Sequence, residues 1–218
     1  MKRKLNLFGI FLIALFATSG LAVSTAAAGV LTATSYPVTP WSQAEGNIAF
    51  DFTGGEFVDY ECGTMHLPSE ALSGSTSTFV MHPVFTSCRH NFLETPITTT
   101  GCDFRFHIGE TIGETGNYAG TVDLVCETGK SLGFPPIAGC EVKIDSQEEF
   151  GSVEFVNMSG AKSDFTIKWN VKGFQYTVVK DGFGCPYSGL GTKEDGDFTS
   201  PPATVENIAG SAGLQIEM

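Results

Sequence analysis

Four histidines are the side chains of this 218-residue chain that could exchange a proton near neutral pH: His66, His82, His90 and His107. No His-Glu-x-x-His motif places two of them together as metal ligands. His107 ends an alternating row, Asp103-Arg105-His107, which predicts one outward strand face, and Glu141-Lys143-Asp145 forms a matching row. Such rows are usually solvated cross-strand ion pairs. We therefore predict no catalytic residues among them.

Four short motifs resemble pieces of known sites. Ser159-Gly160-Ala161-Lys162 has the Ser-x-x-Lys spacing of penicillin-recognising enzymes, but it falls in a predicted turn instead of at a helix start. Asp195-Gly196-Asp197, after Glu194, offers oxygens for Ca²⁺ without the spacing of an EF-hand loop, which indicates a plain acidic turn. Glu148-Glu149 would supply only half of a glycosidase carboxylate pair. Asn157-Met158-Ser159 is a glycosylation sequon.

The six cysteines predict structural cross-links: Cys62, Cys88, Cys102, Cys126, Cys140 and Cys185. None lies in a Cys-x-x-Cys or Cys/His cluster with zinc spacing, so we predict no metal site and no cofactor. Six cysteines allow 15 pairings. Two segments, 96–106 and 136–144, share a Pro-Ile…Gly-Cys-acid–apolar–base–apolar pattern, and each has a cysteine 14 residues before its own. This repeated pattern and equal spacing predict disulfides Cys88–Cys102 and Cys126–Cys140, each closing a hairpin. Cys62–Cys185 would then be a long-range disulfide.

Strands are the elements expected to carry these residues. In Phe165–Lys172 every odd position is apolar and every even position is polar, which predicts a strand with one buried face. Further short strands are expected, each bounded by Gly, Pro, Asp or Ser, at 48–52, 78–85, 102–108, 121–126, 141–144, 152–156, 174–179 and 212–217. The stretch Gly189–Pro202 is expected to be a surface loop. Because no helical period persists in residues 29–218, we predict an all-β fold, an antiparallel β-sandwich or related barrel stapled by disulfides.

The amino terminus predicts export. Lys2, Arg3 and Lys4 precede an apolar run to about Phe16, and small residues end in Ala26-Ala27-Ala28. These are the three regions of a signal peptide. An uncleaved membrane anchor is the alternative, because an apolar span of about 20 residues can cross a bilayer. We predict a signal peptide at 1–28 and a single secreted β domain at 29–218, extracellular in location, with no stable membrane insertion after cleavage.

Charge restricts the partners of this domain. Residues 29–218 hold nine basic and 24 acidic residues, a formal net charge of −15. Nucleic acid and anionic membrane surfaces repel such a chain, so we expect no nucleic-acid partner. The acidity is typical of extracellular solubility, and attraction to cations or a basic partner is the alternative.

Three segments resemble a group of actinobacterial-type secreted, cysteine-containing β-proteins of uncharacterised function. They are Leu31–Thr39, the Gly-Cys-acid-aromatic strand at 101–104, and Tyr118-Ala119-Gly120-Thr121-Val122. The resemblance covers most of residues 29–218 and implies a secreted β fold. It implies no activity and no functional residues.

Two functions of different classes fit the sequence. The first is a non-catalytic secreted β-sandwich domain that binds or packs at or outside the cell envelope, with an envelope or extracellular ligand as its partner. The second is a secreted carbohydrate-active hydrolase on a β-sandwich scaffold. A concave sheet face with two carboxyl groups about 5–9.5 Å apart would favour the enzyme. Since no catalytic set is assembled in the sequence, the non-catalytic function is the leading expectation.

Overall fold

A computed structural model shows an antiparallel all-β protein, which confirms the predicted fold class. It describes residues 27–52, 60–113, 116–137, 139–159, 164–182, 185, 187 and 189–218. The predicted signal peptide, 1–28, lies almost entirely outside these ranges. In the described part of the chain no helix is long and apolar enough to span a membrane.

Within these ranges, fifteen strands follow one another in chain order. They are β1 Val30–Ala33, β2 Pro40–Asp51, β3 Tyr60–Pro68, β4 Thr78–Met81, β5 Val84–His90, β6 Leu93–Glu94, β7 Cys102–Ile112, β8 Asn117–Cys126, β9 Leu132–Ile137, β10 Cys140–Ile144, β11 Gln147–Asn157, β12 Phe165–Asp181, β13 Gly191–Thr199, β14 Ala203–Asn207 and β15 Leu214–Glu217. Strands β1 and β15 pair with each other, and the other 13 form one continuous sheet.

This sheet curls into two rings that share the long strands β2, β3 and β12. The first ring runs β4-β7-β8-β11-β12-β14-β2-β3. It closes where Ser69, just after β3, bridges Met81 of β4. The second ring runs β12-β13-β2-β3-β5, then through Thr95–Thr98 to β9 and β10, and back to β12. It closes through the Thr98–Gly133 bridge. Neighbouring strands of a sheet rotate against each other, and this twist favours such closure.

One continuous hydrophobic core, rich in aromatic side chains, fills both rings. In the second ring, Phe134 packs edge-on against Phe50 and Phe52, with ring centroids 5.0 and 4.8 Å apart. In the first ring, Phe79 stacks on Phe106 at 5.0 Å. These aromatic side chains bury large apolar areas, and they meet in the edge-on and offset-stacked geometries that aromatic pairs favour.

The alternating segment of β12 faces as the sequence predicts. Phe165, Ile167 and Val171 are buried, and the intervening Lys168 is exposed. Trp169 is partly buried and packs against this core, which confirms its predicted inward direction.

The surface loop predicted at Gly189–Pro202 is wrong, because most of it is strand β13. Asp197 pairs with Asp51 of β2 on one side and Lys172 of β12 on the other. Glycines and acids suggested a loop here, but Gly196 is needed inside the strand for packing. A Cβ there would meet the Phe174 ring at 2.4 Å, so only glycine lets that ring lie flat on the strand.

All six cysteines form disulfides, but the predicted pairings are wrong. The bonds are Cys62–Cys88, Cys102–Cys126 and Cys140–Cys185. The first two join residues directly opposite each other, on β3 and β5 and on β7 and β8, with Cα atoms 3.9 and 4.0 Å apart.

The predicted pairs Cys88–Cys102, Cys126–Cys140 and Cys62–Cys185 fail for a topological reason. The chain does turn back between the members of the first two pairs, at β5–β6 and at β9–β10, but neither hairpin places its two cysteines opposite each other. Strand β5 pairs with β3 and β6, whereas β7 pairs with β4 and β8. Likewise β8 pairs with β7 and β11, whereas β10 pairs with β9 and β12.

Candidate functional site

The predicted outward row on β7 forms cross-strand polar pairs. His107 Nε2 lies 2.7 Å from Asp123 Oδ2 on β8, and its Nδ1 lies 3.4 Å from Thr78 Oγ1 on β4. His82 contacts Asp103. A hydroxyl, an imidazole and a carboxylate in series have the residue types of an activated nucleophile, but 3.4 Å exceeds the usual reach between nucleophile and base, about 2.6–3.2 Å. We therefore interpret the row as a polar ladder across strands.

Asp123 is the most enclosed member of this ladder, with 12% of its side chain exposed. A bulge in β11 places Glu149 in the left-handed region (φ 51°) and directs its backbone N–H to Asp123 Oδ1 at 2.9 Å. Both carboxylate oxygens of Asp123 are thus engaged. Beside it lies an open depression that Arg105 and Glu148 also line. The depression brings two carboxylates to one surface, and the sequence had suggested only Glu148-Glu149.

The second predicted row also forms ion pairs. Glu141 on β10 meets Lys180 on β12 at 2.7 Å, and Lys143 meets Asp145 at 3.0 Å. Such exposed pairs contribute about 0–1 kcal/mol each.

The serine motif and the sequon lie at the end of β11. Of Ser159–Lys162 only Ser159 lies within the described residues. The side chain of Asn157 pairs with the backbone of Ile216 on β15, accepting from its N–H at 2.9 Å and donating to its carbonyl at 2.8 Å. A glycan on Asn157 would replace one hydrogen of the Nδ2 group that donates to the Ile216 carbonyl.

The acidic segment 194–197 belongs to strand β13, not to the turn predicted for it. Asp197 Oδ1 accepts the backbone N–H of Gly173 at 3.1 Å, and Glu194 Oε1 accepts from Gln175 at 3.2 Å. These carboxylates hold β13 to β12. Within the described ranges, no group of three or more His, Cys, Asp or Glu side chains could hold a metal ion.

A different surface is formed by three irregular strand segments that lie side by side. We call these three segments the belt. It consists of 45–47 in β2, 63–64 in β3 and 86–87 in β5. In each segment two or three consecutive residues face solvent between buried neighbours, instead of alternating. The segments lie side by side, because Thr64 pairs with both Glu45 and Thr86. The break follows from a bulge in β2, where Gly46 has φ 114°, and from left-handed Ser87 in β5, φ 53°.

The belt leaves a pocket of about 290 Å³ in the outer face, which we call the belt pocket. Gly46 and Gly63 give it a floor without side chains. Its lining is completed by Asn47, Glu61, Cys62, Ser87 and Arg89.

Four of the residues that line the belt pocket have polar side chains, and the two charged ones pair with each other. Arg89 donates to Glu61 Oε2 from Nε at 3.1 Å and from Nη2 at 2.7 Å. The side chains of Asn47 and Ser87 have no hydrogen-bond partner among the described residues and are exposed. The pocket thus offers an amide, a hydroxyl and a neutralised ion pair to a ligand. The Cys62–Cys88 bond ties together the two strands that carry these groups.

Two aromatic side chains lie farther along the same face of β2 and β3. The rings of Trp41 and His66 are 5.9 Å apart and both are partly exposed. Trp41 is five residues before Gly46, about 17 Å along an extended strand. Of the four predicted titratable histidines, His90 packs against Tyr60 at 5.1 Å.

Comparison of the chain with protein-family models, with curated proteins and with solved structures finds no match.

Proposed function

We propose that the protein is an exported, disulfide-bonded β domain with a non-catalytic binding role at or outside the cell envelope. The observation that carries this proposal is the pairing of all six cysteines in three disulfides. Disulfides persist in oxidising compartments and are rare where thiols are kept reduced. The charged start and apolar run of residues 1–16 support export.

We favour binding over catalysis because the polar side chains of the two candidate surfaces differ in their hydrogen-bond partners. The ladder around His107 and Asp123 has its groups paired across strands. The belt pocket, in contrast, has exposed polar groups without partners within the described ranges.

The test is fractionation of a culture that expresses the full chain. The proposal expects a disulfide-bonded protein in the medium or envelope fraction, with an N-terminus near Gly29 and no free thiol. Recovery of an intact Met1 form with reduced cysteines in the cytoplasm would overturn it.

The alternative, a secreted carbohydrate-active hydrolase, rests on the depression lined by Asp123 and Glu148. Paired carboxylates are the usual catalytic groups of glycoside hydrolases. The decisive measurement is release of reducing ends from soluble polysaccharides. Activity that Glu148→Gln abolishes, with Glu127→Gln as a control on another acid, would favour the enzyme over the binding domain.

A further inference from the structure

We propose that the outer face of β2, β3 and β5 binds a neutral polysaccharide, with one sugar residue in the belt pocket and the chain extending toward Trp41. This proposal rests on the function proposed above and names the ligand class of that binding domain.

The lining of the belt pocket defines the class of group that enters it. Asn47, Ser87, Glu61 and Arg89 surround a floor of glycine backbone. Amide, hydroxyl, carboxylate and guanidinium groups together donate and accept hydrogen bonds, as the hydroxyl groups of a sugar require. The volume of about 290 Å³ is at the small end for ligand sites, which suits one ring and excludes a large ligand.

Charge favours a neutral ligand. Among the described residues that line the belt pocket, Arg89 is the cation, and its close pairing with Glu61 compensates the charge that would otherwise hold a phosphate, sulfate or carboxylate. Residues 29–218 carry a formal net charge of −15, which repels anionic polymers. A neutral sugar gains the hydrogen bonds without this repulsion.

The position of Trp41 favours a polysaccharide ligand over a single sugar. Its ring is partly exposed on the same face, about 17 Å from the pocket along β2. An aromatic face packs against the apolar C–H surface of a ring, and tryptophan offers a large rigid area for such contact. Only an extended ligand reaches both places at once.

The test is sedimentation of the purified, disulfide-bonded protein with insoluble cellulose and with insoluble chitin. The wild type is expected to sediment with at least one of them, and dextran sulfate is not expected to compete. Arg89→Ala, Asn47→Ala and Trp41→Ala should each weaken apparent affinity about tenfold, which corresponds to one lost charge-assisted hydrogen bond or stacking contact. Lys168→Ala, which removes the same charge as Arg89→Ala from the exposed surface of β12, should bind as the wild type does.

Urea denaturation of each variant separates loss of binding from loss of folding. If Arg89→Ala does not fold, Asn47→Ala and Trp41→Ala still decide the question. The sugar inference would be overturned if the wild type sediments with neither polysaccharide, or if all variants bind as well as the wild type. Sedimentation with isolated cell envelopes but with neither polysaccharide would overturn it while leaving the proposed binding domain intact. Absence of export would overturn the proposed function itself.

Discussion

Replacing Trp169 by alanine tests the half-buried character of β12 most directly. The indole packs among Phe104, Phe106 and Phe198, with ring centroids 5.6, 5.5 and 5.4 Å away. Complete removal of a buried aromatic side chain costs about 3–5 kcal/mol. Because Trp169 is partly exposed and its Nε1 has no acceptor among the described residues, we expect the lower end, about 3 kcal/mol.

Lys168→Ala is the matched control, one residue away on the opposite face. The Lys168 side chain is 48% exposed, and its Nζ lies 3.5 Å from Glu154 on β11. Exposed pairs of this kind contribute about 0–1 kcal/mol. Since the two positions are adjacent in the same strand, the difference between the two substitutions reports mainly the effect of facing the core.

Urea denaturation with the disulfides intact gives both free energies of unfolding. Equal dependence of free energy on urea concentration is needed for the midpoints to be compared. A midpoint near that of the wild type for Lys168→Ala and a much lower one for Trp169→Ala are expected. Equal losses, or a larger loss at Lys168, would refute the inward orientation of Trp169 and the period from which it was predicted.

Three other changes probe the disulfides, the pH dependence and the packing of β13. Replacing Cys62 and Cys88 together by alanine should lower the free energy of unfolding by about 3–4 kcal/mol, measured by urea denaturation, because it reopens a loop with a sequence separation of 26. Desolvation by burial, together with the negative charge of Glu217, raises the pKa of Tyr118 above its ordinary value. Because the unfolded state releases this proton at a lower pH than the folded state does, the free energy of unfolding should fall as the pH rises above about 10. Thermal midpoints across this range should show that Tyr118→Phe reduces the fall, and an unchanged profile would contradict it. Gly196→Ala should cost about 1–3 kcal/mol in a urea melt, since its Cβ would overlap the adjacent phenylalanine ring, and a neutral result would show that the ring moves aside.

The sequence predicts most strands whose two faces differ in polarity, although β14 alternates and is not among the predicted segments. Segments such as 102–108 and 165–172 alternate strictly and lie within β7 and β12. Strands β3 and β13 were missed because neither alternates throughout. In β3, Gly63 and Thr64 both face outward, and in β13 only Phe198 is a buried large apolar residue.

Disulfide pairing depends on which strands become neighbours, and local spacing does not contain that information. The equal separations of Cys88 from Cys102 and of Cys126 from Cys140 looked like two hairpins. In the fold each of these cysteines has its partner on another strand or loop, chosen by the paths of the two rings. A repeat of short motifs can thus reflect similar strand starts without reflecting similar pairings.

The belt pocket combines residues from three strands, of which the sequence had predicted only part of two. Isolated glycines within strand-like segments, as at Gly46 and Gly63, are a signal of a bulge or a close backbone approach. That signal locates an irregularity in one strand. Alignment of the irregularities in β2, β3 and β5 requires the register, which the sequence does not supply.

The belt also explains why a binding surface would arise at this position. Strands β2 and β3 belong to both rings. In β2 the bulge between Glu45 and Ile48 separates the part that pairs with β14 from the part that pairs with β13, and we expect the curvature to change there. Bulges and glycines accommodate such changes, and they interrupt the alternating cover of side chains. The gap left at Gly63 is held by the adjacent Cys62–Cys88 bond, and a Cβ on Gly63 would approach that of Ser87 to 3.2 Å. The fold therefore leaves an open pocket where the two rings join, and the proposed sugar site would use the exposed side chains of Asn47 and Ser87 that line it.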